Sequence, residues 1–283
     1  MTHPSYLQLE GRTIVVLGVA NRRSVAWAIA RTLREQGAQL VFVFRDRQLL
    51  DKNRALIGDD APACVCDVER DEDLDALPRR LTDDCGVQAI HGLVHSIAFA
   101  NYSEGLKPFH QTLRRDFLQA VDISCFSLTN LAGRLAPLLA PDASIVTISI
   151  SATRMASENY GYMGPIKAAL DSSVAFLAKS LARNVSPRIR VNAVGPGLLK
   201  TSASAGIPGY IDAYLYAERV IPRGEALSTD EAAQAAVFLL SPRSSGINAQ
   251  TLVVDAGMAI NYFDRDVIHA VTHQDTPSTS SSN

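Results

Sequence analysis

Seven short stretches of this chain are apolar along their whole length instead of alternating: residues 13–17, 39–44, 63–66, 92–95, 144–149, 190–194 and 251–254. A strand wetted on one face alternates in polarity, whereas a parallel strand covered on both faces reads as a continuous apolar run. Between these runs lie segments such as 25–36 and 167–183, long enough to be helical crossovers between parallel strands. The alternation predicts an α/β fold, a single-domain Rossmann arrangement with a doubly wound parallel sheet of about seven strands. No low-complexity linker or internal repeat divides residues 1–265, which are expected to form one domain. Residues 266–283 read as a tail, and its end from Thr276 to Asn283 is expected to be disordered, having nothing to bury. Residues 201–223 hold several Gly, Pro, Ala and Tyr beyond the sixth strand, where the ligand crevice of such a sheet opens. They are the candidate substrate lid.

Composition narrows the classes. The 283 residues are 47% hydrophobic and 20% charged, enough for a full core. A net charge of −2 offers no basic field for nucleic acid or an anionic membrane. No apolar run reaches the roughly 18 residues that read as a membrane span. Residues 1–10 lack the pattern of a signal peptide, so a cytoplasmic location is the expectation. Cys64, Cys66, Cys85 and Cys125 form no C-x-x-C pair and histidines do not cluster, so no metal site is expected. Cys64 and Cys66 read as small core residues. Asn101-Tyr-Ser matches the glycosylation pattern, a chance match without a secretion signal.

The candidate chemistry lies at strand ends. The first strand runs into Gly18, followed by Asn21, Ser24 and Val25 at the start of a helical pattern. A glycine there admits a pyrophosphate close to backbone N–H groups, although the full G-x-G-x-x-G fingerprint is absent and a plain strand–turn–helix corner fits as well. The second strand ends in Arg45-Asp46-Arg47, where an acidic residue would read a ribose 2′-hydroxyl and an arginine a 2′-phosphate. Arg45 favours NADPH over NADH, with Asp46 keeping NADH open. Asp67 and Val68 close the third strand; Asp67 is an adenine contact or a turn residue. After His95, the small Ser96 and Ala98 would let backbone approach the cofactor.

Tyr160 and Lys167 stand seven residues apart before an apolar helical pattern. Two turns of α-helix take about 7.2 residues, so one continuous helix would put phenol and ammonium on one face. A neighbouring ammonium would then lower the tyrosine's pKa and make it a better proton donor. The same spacing fits a surface lysine and a half-buried tyrosine on an ordinary helix.

Taken in order, Gly18-x5-Ser24-Val25, Asp67-Val68, His95-Ser96-Ile97-Ala98-Phe99-Ala100 and Tyr160-x2-Met163-Gly164-x2-Lys167 resemble a branch of the short-chain dehydrogenase/reductases, the bacterial enoyl-acyl-carrier-protein reductases. Arg190-Val-Asn-Ala193, Lys200-Thr201 and Val254-Asp-Ala-Gly257 agree, so the likeness spans about residues 8–262. Most short-chain dehydrogenases hold the acid four residues before the lysine, where this chain has Met163; the enoyl reductases hold it seven before, as Tyr160 stands. The resemblance implies Tyr160 as the group polarising a thioester carbonyl and Lys167 as the holder of the nicotinamide ribose. It implies cofactor contacts at Gly18, Ser24, Val25, Arg45, Asp67, Val68, Ser96, Ile97, Lys167, Leu199 and Thr201. Substrate contacts would fall at Ala98, Ala100, Ile150, Tyr160, Met163, Ile207 and Tyr210, with Ile211 also against the acyl tail.

The implied reaction is NADPH-dependent reduction of a 2-enoyl thioester on acyl carrier protein or coenzyme A, in fatty-acid or polyketide-type synthesis, by a homotetramer. The chain departs from the family where a second tyrosine normally follows the fifth strand: Ile150 stands there, between Ser149 and Ser151. An isoleucine donates no hydrogen bond, which keeps a 3-oxoacyl-thioester reductase and a non-catalytic NADP-binding paralogue as alternatives.

Overall fold

A computed structural model describes residues 5–105 and 107–272, the side chain of Asn159 aside. Seven strands form one parallel sheet: β1 (Thr13–Leu17), β2 (Gln39–Phe44), β3 (Ala63–Val65), β4 (Ile90–His95), β5 (Leu139–Ile148), β6 (Arg190–Pro196) and β7 (Thr251–Val254). Their order is β3-β2-β1-β4-β5-β6-β7, so the winding reverses between β1 and β4. Every expected strand is present. β3 stops one residue early, at Val65, and β5 starts at Leu139 because Pro141 and Asp142 interrupt its apolar run without ending it.

Nine α-helices are present among the described residues: α1 (Val25–Glu35), α2 (Arg47–Ile57), α3 (Asp71–Arg79), α4 (Arg114–Val121), α5 (Ser127–Leu135), α6 (Met163–Asn184), α7 (Tyr210–Val220), α8 (Thr229–Leu240) and α9 (Arg265–Thr272). The pleat sends alternate side chains to opposite faces. Ile14 and Val16 of β1 enter one core with α1, α2 and α8, while Val15 and Leu17 enter the other with α3, α4, α5 and α6. α6 begins four residues before Lys167, since Pro165 in its first turn lacks only an N–H that would be unpaired there anyway. α8 carries a capping box: Ser228 Oγ accepts from the Glu231 N–H, and Glu231 accepts from the Ser228 N–H. Its other end is tied to β6 by buried Arg190, whose guanidinium donates to the carbonyls of Leu239, Ser241 and Ser244.

Residues 201–223 are not a bare loop: a 3-10 turn over Ser204–Gly206 leads into α7. The tail starts as α9, and its Thr276–Asn283 end lies outside the described residues. Among the described residues no helix is long and apolar enough to cross a membrane.

Candidate active site

The carboxyl ends of β1 and β4 flank the switch point, where the ligand crevice of such a sheet lies. Gly18 leaves β1 with φ +99°, and a Cβ on it would lie 2.0 Å from the Ser96 carbonyl oxygen after β4. The two segments touch so closely that only glycine fits. Ser24 caps α1 by position but not by bond, because its hydroxyl donates to the Asn21 carbonyl at 2.6 Å. No side chain caps α1; the Trp27 and Ala28 N–H groups donate to the Ser24 carbonyl, and the helix N-terminus beside the Gly18 turn is the anion-binding feature there. This cradle fits a dinucleotide pyrophosphate.

At the β2 end, Arg45 is 64% exposed and its Nε donates to Asp46 at 2.9 Å. Asp46 also caps α2, accepting the Leu49 N–H at 2.8 Å. That N–H, then Arg45, holds its carboxyl below the usual range. Asp46 is thus committed within its own turn, and Arg47 is paired with Asp51 at 2.9 Å. Past β3, Asp67 accepts the Glu69 N–H and its own N–H donates to Asp73, a turn residue's bonding; Val68 is buried beside it. Beyond β4, Ile97 and Ala100 are half-buried against the core and Ala98 is exposed.

Tyr160 ends a 3-10 turn, Glu158–Tyr160, and Gly161 at φ +53° separates it from α6. The continuous helix expected from the seven-residue spacing is therefore absent. Among the described residues the Tyr160 hydroxyl has no hydrogen-bond partner. Burial, then the nearby phenols of Tyr102 and Tyr210, push its pKa up. The expected lowering by Lys167 is not seen; Lys167 Nζ donates to the Ile148 carbonyl at 2.7 Å. Burial lowers Lys167 to about 8, opposed by Asp171 and Cys125.

Leu199 is buried, with its N–H and carbonyl both bonded to the Tyr210 hydroxyl at 2.8 Å. Thr201 is held by Ser204. Ile207 is half-buried, Met163 lies inside the main core, and Ile211 on α7 is 74% exposed. Ile150 is half-buried where β5 meets β6: a Cβ on Gly195 would lie 2.8 Å from its carbonyl oxygen. Ser149 Oγ is enclosed without a partner among the described residues.

Two supports were not foreseen from the sequence. His95 is wholly buried between Thr147 Oγ1 and Ser127 Oγ, both at 2.8 Å, and burial with the Lys167 charge lowers it to about 3. Ser124 Oγ bonds both the N–H and the carbonyl of Phe99, fixing the chain after β4. Neither serine belongs to a motif, so nothing in the sequence separates it from other helix serines. Asn101 donates to Asp116 and is half-buried. No group of three or more His, Cys, Asp or Glu could hold a metal among the described residues.

A phosphate cradle at the switch point, with a protonated tyrosine and a buried lysine off the fifth strand, defines a short-chain dehydrogenase/reductase. Within that class, a family model described as Enoyl-(Acyl carrier protein) reductase matches residues 18–259. The chain belongs to this family. It is 37% identical over 256 residues to the Bacillus subtilis protein named enoyl-[acyl-carrier-protein] reductase [NADH], covering 89% of this chain and 97% of that one. The Staphylococcus aureus (strain MRSA252) counterpart, named [NADPH], is 35% identical over 255 residues, covering 89% and 98%. Among solved structures, the Aquifex aeolicus enoyl-[acyl-carrier-protein] reductase (NADH) superimposes with a TM-score of 0.85 at 33% identity, covering 90% of this chain and 99% of that one. The Bacillus cereus enoyl-acyl carrier protein reductase, in complex with NADP+ and indole naphthyridinone, gives 0.83 at 35% identity, covering 89% and 98%.

Proposed function

We propose that the chain reduces the double bond of a trans-2-enoyl thioester carried on acyl carrier protein, as in fatty-acid synthesis. The observation that carries this reading is Tyr160, a protonated phenol without a partner, seven residues before Lys167, with Met163 filling the position four before it. When bound, a reduced nicotinamide supplies hydride to the substrate β-carbon. Negative charge then gathers on the thioester carbonyl oxygen, and the Tyr160 hydroxyl donates a hydrogen bond to it. The raised pKa keeps that hydroxyl a donor through the neutral range. Lys167 holds the ribose hydroxyls, Gly18 and the start of α1 hold the pyrophosphate, and Asp67 and Val68 border the adenine.

The test is to mix the protein with crotonyl and longer enoyl thioesters, on carrier protein and on coenzyme A, and follow oxidation of the cofactor. No turnover at any chain length would sink the reading. Faster turnover of 3-oxoacyl thioesters would favour a ketone reductase, the alternative that Ile150 supports. Binding without either reaction would leave a non-catalytic paralogue.

NADPH is the assigned cofactor, since Arg45 is accessible at the β2 end while Asp46 is committed to capping α2. Arg45→Gln is expected to weaken NADPH binding by roughly 1.5–3 kcal/mol, the range for charged hydrogen bonds, and to leave NADH alone. Titration of both cofactors checks this, and unchanged NADPH affinity would remove Arg45 from the assignment. A homotetramer is the proposed assembly: Phe176 on α6 (77% exposed) and Phe126 before α5 (51%) supply apolar surface for it to cover. Light scattering reads the mass.

A further inference from the structure

The chain that leaves β6 is clasped by two phenols one turn apart on α7. Leu199 is buried just beyond the carboxyl end of the strand, and Lys200 beside it is exposed. The Tyr210 hydroxyl accepts the Leu199 N–H at 2.8 Å and donates to the Leu199 carbonyl at 2.8 Å. One O–H thus engages both main-chain polar groups of a single residue. Ser204 Oγ donates to the same carbonyl at 2.8 Å. A carbonyl oxygen has two lone pairs and an amide nitrogen one proton, so the Leu199 backbone is fully occupied by its own chain. Four residues beyond Tyr210, the Tyr214 ring takes the Lys200 ammonium at 4.1 Å from its centroid.

On the reductase reading, Leu199 contacts the cofactor and residues 201–223 cover the substrate. A nicotinamide carries a primary amide, which presents an acceptor and a donor side by side. The Leu199 N–H and carbonyl are the complement of that pair, and the Tyr210 hydroxyl, acceptor and donor in one atom, imitates it. Burial pushes the Tyr210 pKa up, against the Leu199 N–H, so the phenol keeps the proton that it donates.

We propose that Tyr210 is a positioning residue, a latch that competes with the nicotinamide amide for the Leu199 backbone and so couples cofactor binding to α7. This rests on the reductase reading. A cofactor amide that takes both Leu199 groups must turn the Tyr210 hydroxyl away from them. The Tyr210 ring packs against a small separate core of Tyr214, Ala217, Ile221 and Ala226, so its displacement is passed to the helix that borders the substrate segment.

The experiment measures binding, with no turnover involved. The full-length chain and Tyr210→Phe are titrated with NADP+ and with 2′-phospho-ADP-ribose, the same ligand without its nicotinamide; NAD+ and ADP-ribose form the matching pair. The variant is expected to bind NADP+ roughly two- to tenfold more tightly, the worth of one hydrogen bond, and 2′-phospho-ADP-ribose unchanged. Loosened packing alone would not separate the two ligands. A variant that binds NADP+ no tighter, or that gains equally for both, would overturn the latch. The parent chain carrying fluorotyrosine at position 210 alone reads the same contact without a substitution. Its fluorine resonance is expected to move with NADP+ and not with 2′-phospho-ADP-ribose; a resonance indifferent to both, or moved alike by both, would overturn it too. If the parent binds none of these ligands, the reductase reading falls and takes the latch with it. Binding by the parent without a Tyr210 effect removes the latch alone.

Discussion

Tyr160 and Lys167 are moved in opposite directions by one cause. Burial penalises whichever form is charged, so it raises the phenol and lowers the ammonium. Removing the Tyr160 hydroxyl is expected to lower kcat/KM by about 2.7–4 kcal/mol, the usual loss for one oxyanion donor. Because that hydroxyl has no partner, Tyr160→Phe should melt no lower than the parent; a fall in melting temperature with unchanged kcat/KM would make Tyr160 structural. Lys167 is protonated only below about 8 in the free protein, against an ordinary 10.5. Two consequences follow with opposite signs. Raising the pH from 8 to 10.5 favours folding, since the unfolded chain alone keeps that proton. Over the same rise the ribose-holding charge disappears, so kcat/KM should fall along a limb centred near pH 8. A profile flat to pH 9.5 would contradict it. The residues of this pair were legible in the sequence by their spacing. Their titration was not, because a distance along the chain says nothing about how deeply each group is buried.

At the scale of elements, the junction between β1 and α1 depends on one backbone position. Gly18→Ala would need a left-handed conformation for a residue with a Cβ, about 1–3 kcal/mol, before its contact with the Ser96 carbonyl is relieved. The expected outcome is a lower melting temperature together with weaker binding of both cofactors, read by thermal melts and titration. Unaltered binding in a folded variant would show that the cradle does not hold the pyrophosphate. The strands were readable because full burial on both faces leaves continuous apolar runs. The helices were less so. The π turn at Asp122–Phe126 between α4 and α5 shifts the helical period, which the run of side chains does not announce.

For the whole molecule, His95 joins β4, β5 and α5 through Thr147 and Ser127 at the centre of the sheet. The unfolded chain takes a proton there near pH 6.5, while the folded chain refuses it until about 3. Acidification through that window therefore favours unfolding. Glu231 adds a second, lower window: its carboxyl, held down to about 2 by Arg223 and the Ser228 N–H, loses its stabilising bonds as pH falls from 4.5. Urea midpoints are expected to decline from pH 6.5 downward, and a midpoint constant to pH 4 would show that His95 opens without global unfolding. The architecture itself, a doubly wound sheet with its crevice at the β1–β4 reversal, was available from the order of runs alone.

The Asp46 cap has a consequence for engineering. A single exchange of Arg45 for a neutral residue removes an affinity for phosphate but creates none for a bare ribose, since the adjacent carboxylate is already occupied by Leu49. A redesign toward NADH must first supply α2 with another cap, or place a new carboxylate at position 45 itself. On the proposed NADPH assignment, the choice between the two cofactors is thus tied to one turn: either position 45 itself gains the carboxylate, or Asp46 is freed while another residue caps α2.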